Sequence, residues 1–144
     1  MIVHGGCVAL RVQGGWAGVL ITGPSGSGKS DLALRLIASG WRLVSDDRTV
    51  LWTSGGRVWA KAPPPLAELV EARGVEIVRI PRREVAPVAL VAACLPPDKE
   101  PERLPGKAFT TLAGVAVQQL TLRALDASTP VKLERALARQ GRDL

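Results

Sequence analysis

Apolar and polar positions along this chain follow two periods. Residues 8–12 read as a short strand, Gly14-Gly15 as a turn, and residues 18–22 (GVLIT) as an apolar run of buried-strand type. A stretch of Gly and Ser follows at once. From residue 29 to 39 the apolar positions Leu32, Ala33, Leu36 and Ile37 recur at helical spacing, and Gly40 stands where a helix C-cap would. Residues 42–45 return to strand character and end in Asp46-Asp47. Residues 49–53 and 57–60 flank Ser54-Gly55-Gly56, whose glycines permit the positive φ of a tight hairpin turn.

Further on, Pro63-Pro64-Pro65 stops the sheet and predicts a short helix over 66–72. Gly74 leads into a strand over 75–80, and residues 85–95 form another apolar run, with Pro87 confining its first residues to an edge or lead-in role. Charges and prolines dominate 96–107, which predicts an exposed loop. Residues 115–122 are strand-like, and Thr129-Pro130 makes an N-cap and N1 pair for a last helix through residue 138. The order predicts an α/β fold: one domain over 1–144, with a mixed β-sheet flanked by helices around a phosphate loop.

Composition narrows the use of that fold. At 144 residues with 47% hydrophobic content the expectation is one core and no multidomain enzyme. Its 19 Lys and Arg against 13 Asp and Glu give a net charge of +6, which favours an anionic partner. The chain has no Tyr, only one Phe, Phe109, and four scattered Trp at 16, 41, 52 and 59, an aromatic count that cuts against nucleic-acid binding. Cys7 and Cys94 lie in apolar stretches without metal-ligand spacing, which predicts buried reduced thiols. No leader segment or membrane-spanning run is visible, so the expectation is a soluble, unprocessed, cytoplasmic protein.

The chemistry starts at Gly23-Pro24-Ser25-Gly26-Ser27-Gly28-Lys29-Ser30, which satisfies G-x-x-x-x-G-K-[ST] between an apolar strand and an amphipathic helix. Glycines let successive backbone N–H groups turn inward around phosphate oxygens, and the helix N-terminus adds the positive end of its dipole. Lys29 would reach the β and γ phosphates, and the Ser30 hydroxyl would ligate Mg²⁺. Asp46-Asp47 closes the next strand. Set beside the first strand with its C-terminal end at the same sheet edge, it would bring carboxylates to the γ phosphate. One of them could hold Mg²⁺ through water and the other accept a proton from an attacking hydroxyl. Glu71-Ala72-Arg73-Gly74, taken alone, reads as a solvated helix end.

Together, GVLITGPSGSGKSDLAL, GWRLVSDDRTV, the APPPL segment and EARGVEIVRI resemble the catalytic domain of HPr kinase/phosphorylase. That resemblance implies a fold like phosphoenolpyruvate carboxykinase. It also implies a bifunctional enzyme that phosphorylates a serine of the phosphocarrier HPr with ATP or pyrophosphate and reverses the step by phosphorolysis. By resemblance, residues 23–30 bind the nucleotide, Lys29 is catalytic, Ser30 and Glu71 bind Mg²⁺, and Asp47 is the general base. His4 matches a histidine near the active site, Arg103 an arginine on a mobile loop, and Arg73 and Gly74 the Glu-x-Arg-Gly segment. Longer members carry an N-terminal domain not seen here, and the family assembles as hexamers. The chain departs from the family at Pro24, at Glu76, and at Leu125-Asp126-Ala127-Ser128-Thr129, which replaces a Gly-Arg-Asn segment tied to dephosphorylation. Kinase activity is therefore the better supported half. The competing readings are a phosphate-loop kinase of another substrate and a nucleotide- or phosphate-sensing module without turnover.

Overall fold

In the computed structural model of the chain, which describes residues 1–64, 70–71, 77–78, 80–103 and 106–142, the long apolar runs become strands and the helically spaced ones helices. The order is β1 (Ile2–His4), β2 (Gly6–Val12), β3 (Gly15–Thr22), α1 (Lys29–Ala38), β4 (Arg42–Ser45), β5 (Arg48–Ser54), β6 (Arg57–Lys61), β7 (Val70–Glu71), β8 (Ile77–Val78), β9 (Val85–Cys94), β10 (Ala108–Leu112), β11 (Val115–Leu122) and α2 (Thr129–Arg142). A nine-stranded sheet runs β1-β5-β6-β9-β3-β2-β4, with β11 beside β9 and β10 outside β11. Among the described residues β9 pairs in parallel with β3 and with β11 while the other strand pairs are antiparallel, so the sheet is mixed as expected.

Both faces of the central strands are buried. Val8, Val19, Ile21, Leu43, Leu90, Ala92 and Leu122 pack under α1 and α2 with Leu32, Leu36, Leu133 and Leu137. Cys7, Ala9, Leu20, Val44 and Val91 face the other way, against Leu51, Val58 and Ala60 of the curled-over hairpin β5–β6. Alternation along a strand assigns each residue to one cluster or the other. In β9 that alternation breaks once: Gly18 pairs with Val88 but Val19 with Leu90, which leaves Ala89 as an extra residue. This bulge lets Ala86 and Val88 share a cluster with Val91. It falls where β9 exchanges β6 (paired at residues 85–87) for β11 (paired at 90–94). Gln140 of α2 donates to the Ala89 carbonyl at 2.9 Å and to Gln118 Oε1 at 2.9 Å, which fastens the irregular turn of the strand.

Helix α1 forms because Leu32 and Leu36 recur on one face, and both are fully buried; each contributes about 1.5–3 kcal/mol. It stops in a Schellman motif. Trp41 N–H donates to Leu36 O at 3.1 Å and Gly40 N–H to Ile37 O at 3.1 Å, with Gly40 at φ +102°.

Three expectations change. Within the helix expected over 66–72, Val70 and Glu71 are a strand paired with Ile77–Val78, and the rest of that segment lies outside the described residues. A seven-residue helix is marginal without packing, and β-branched Val70 favours extended backbone. β4 does not lie beside β3. The Gln13-Gly14 hairpin turn brings β2 back onto β3, and β4 joins the outer edge of β2. Pro87, by contrast, keeps the lead-in role expected of it: it lies in the leading part of β9, which pairs with β6 ahead of the β3 ladder. Finally, the Thr129 hydroxyl donates to Arg123 O at 2.5 Å rather than capping, and Lys132 N–H bonds Ser128 O at 3.0 Å, so Ser128 is the N-cap of a helix that continues to Arg142.

Candidate active site

The loop 23–30 links β3 to α1, with Gly23, Gly26 and Gly28 at φ +145°, +81° and +94°, values that side chains disfavour. At Gly23 no side chain would fit: a Cβ there would lie 2.6 Å from the Cys94 carbonyl oxygen. The loop closes on itself. Ser27 N–H donates to Pro24 O at 3.2 Å, and Lys29 Nζ donates to Gly23 O at 2.5 Å and to Pro24 O at 3.4 Å. Ser27 is buried, and its hydroxyl finds no partner among the described residues. A buried polar group left unpaired costs about 1–3 kcal/mol. Such an orphaned donor, with the left-handed glycines and an ammonium folded over them, fits an anion with several oxygens. Beneath the loop, burial pushes the Cys94 thiol up to about 11, with the Lys29 charge opposing.

The acidic pair occupies the turn from β4 to β5. Asp47 is in the left-handed region at φ +63°; Arg48 N–H donates to Asp46 O at 2.6 Å, and the Ser45 hydroxyl donates to Arg48 O. The Gly5-Gly6 corner joins this turn to the end of β3, from which the phosphate loop leaves. Gly5 N–H donates to Asp47 O at 2.8 Å, and buried Thr49 Oγ1 donates to Gly5 O at 2.7 Å. On its other side, a Cβ on Gly5 would lie 2.5 Å from Ile21 O, and one on Gly6 would lie 3.2 Å from Ser45 O. Only glycines let β3, β2 and the acidic turn close this tightly. Because β4 is antiparallel to β2, and β2 to β3, the ends of β3 and β4 share one sheet edge. They stand two strand spacings, about 10 Å, apart. Asp46 is exposed as a residue, but partial desolvation of its carboxyl and then the adjacent Asp47 charge raise it from its ordinary value, with Arg82 opposing.

The structure thus gathers the loop 23–30, Asp46, Asp47 and, through the pairing of His4 with Arg48, the exposed His4 at one edge of the sheet. Ser30 is exposed at the start of α1. Glu71 lies on β7, while Arg73, Gly74 and Glu76 lie outside the described residues. Arg103 is exposed in the segment between β9 and β10, and among the described residues no hydrogen bond or ion pair joins it to the loop or the acidic turn. One contact escaped sequence reasoning. Arg35 of α1 donates to the carbonyls of Ala124 and, at 3.4 Å, Asp126; Leu125 between them lies against Gly28. No local pattern announces a contact between segments so distant along the chain.

Residues 1–83 match the family model described as the HPr Serine kinase C-terminal domain. The HPr kinase/phosphorylase of Lacticaseibacillus casei (strain BL23) is 36% identical over 132 residues, covering 84% of this chain and 39% of that protein. That of Brevibacillus brevis (strain 47) is 48% identical over 64 residues, covering 44% of this chain and 21% of that protein. This chain therefore spans about two fifths of the length of the first of these relatives. Among solved structures, the Hpr(Ser) kinase/phosphatase from Coxiella burnetii superposes with a TM-score of 0.76 at 25% identity, covering 99% of this chain and 96% of that one.

Proposed function

Because the chain belongs to the HPr serine kinase C-terminal domain family, we propose that it is a protein-serine kinase that transfers phosphate from ATP or pyrophosphate to HPr, with phosphorolysis as the reverse step. The observation that carries this reading is the shared sheet edge, where a closed phosphate loop faces an Asp-Asp turn across the Gly5-Gly6 corner. In the proposed step the serine oxygen bonds to the terminal phosphorus as the bond from that phosphorus to the bridging oxygen breaks, so that ADP leaves when ATP is the donor and phosphate leaves when pyrophosphate is. The serine proton passes to Asp47, which returns it in the reverse direction. Residues 23–30 hold the donor, and Lys29 turns from its carbonyls in the loop to the phosphates. His4 and Arg103 assist beside the acceptor, with Arg73 and Gly74 completing the site.

The Ser30 hydroxyl and the Asp46 carboxylate are hard oxygen donors suited to Mg²⁺, which takes few protein ligands, and Glu71 would be the further ligand that the family resemblance implies. When bound, the ion would neutralise charge on the donor phosphates. We also propose a hexamer and a cytoplasmic setting. The structure has no helix, among the described residues, long and apolar enough to cross a membrane.

Incubating the protein with HPr, Mg²⁺ and labelled ATP tests the reading. Serine phosphate is expected with wild type and none with Lys29→Ala. Asp47→Asn should lose transfer by at least about a hundredfold while ATP binding stays within about threefold; loss of binding would instead make Asp47 a metal ligand. ATP binding without turnover in wild type would favour the sensing module, a reading motivated by the altered 125–129 segment.

A further inference from the structure

The segment between β11 and α2 is tightly bonded although it faces solvent. Asp126 N–H donates to Arg123 O at 3.2 Å, Thr129 N–H to Asp126 O at 3.2 Å, and Arg123 pairs with the Asp126 carboxylate at 3.5 Å. Arg35 takes the carbonyls on both sides of Leu125, so the backbone that carries this residue is pinned to the helix that follows the phosphate loop. The Leu125 side chain nevertheless remains 57% exposed. Its Cδ2 and Cγ stand 2.8 and 2.9 Å from where a Cβ on Gly28 would be, so they overhang the last glycine of the loop. A rigidly presented, half-covered leucine at the rim of an anion cradle offers apolar area beside the phosphates and no hydrogen bond.

We propose that Leu125 is an apolar shelf for the nucleoside part of the phosphoryl donor, and that it biases this chain toward a nucleoside triphosphate over pyrophosphate. The proposal rests on the phosphate-loop reading above but on neither the acceptor nor turnover. Loop amides cradle the phosphates nearest the nucleoside, so the sugar and base leave the loop at its rim, and Leu125 stands at the Gly28 rim. Pyrophosphate has no apolar part to lay there. Covering part of one leucine side chain is worth about fivefold in affinity.

Calorimetric titration of the full chain with ATP and, separately, with pyrophosphate in the presence of Mg²⁺ reads this without HPr. For Leu125→Ser the Kd for ATP should rise about fivefold while that for pyrophosphate stays within about twofold, and Leu125→Met should restore the ATP value. Thermal unfolding checks that each variant is folded. Equal weakening for both ligands would mean that Leu125 only shapes the loop, and no weakening for ATP would mean that nothing lies on it; either result overturns the shelf. A wild-type chain that binds neither ligand would overturn the phosphate-loop reading and the shelf with it.

Discussion

Asp46 carries a charge that its surroundings resist. Its folded pKa lies above the unfolded value near 3.9, so the native state holds the proton more tightly. Stability then falls as pH rises from the ordinary value through the raised one, and above that window the full cost remains. Asp46→Asn should accordingly raise the Tm at pH 7 and leave it unchanged at pH 3. An equal rise at both pH values would point to a cause other than charge. The thiols make a second test. Burial pushes Cys7 up to about 12 and Cys94 up to about 11, so neither should react with iodoacetamide at pH 8 in the folded protein, while both react in denaturant, as read by mass spectrometry. At this scale the loop 23–30 was legible because its eight positions are contiguous, each residue type having its own use. His4 comes opposite Arg48, at the end of the acidic turn, only through strand pairing, and spacing alone does not reveal that.

Among the elements, the Ala89 bulge is fastened to α2 by one side chain, Gln140. Gln140→Ala would release the Ala89 carbonyl and Gln118 together, and a loss of about 1–2 kcal/mol is expected from urea unfolding. A change below about 0.3 kcal/mol would show that water replaces the amide without cost. The β3–loop–α1 unit and the β5–β6 hairpin were readable because apolar period and glycine punctuation agree there. β10 was not, since its residues are mostly exposed and its apolar positions do not alternate. β1 is three residues long and β7 two, too short for any period to emerge. The place of β4 was misjudged for a different reason: direction along a sheet follows from connection lengths, but which edge is already occupied depends on an earlier hairpin.

In the whole molecule, two apolar clusters lie on opposite faces of the same central strands. With β2, β3 and β9 contributing to both, neither layer has a core of its own. Urea unfolding should therefore show one transition, with far-ultraviolet dichroism and tryptophan emission coincident. Trp41 lies in the helix-side cluster and Trp52 and Trp59 in the β5–β6 hairpin, so both layers contribute to the emission. A separate early phase would mean that the hairpin layer unfolds alone. The extra residue in β9 also bears on how such chains can differ in length. Ala89 sets which face every earlier residue of that strand addresses, so losing one residue between Val88 and Leu90 would turn Ala86 and Val88 from one cluster toward the other. Insertions and deletions should therefore be tolerated at the exposed Gly55-Gly56 turn and avoided in β9. An alignment gap there would signal either a compensating loss elsewhere in the strand or a misplaced gap.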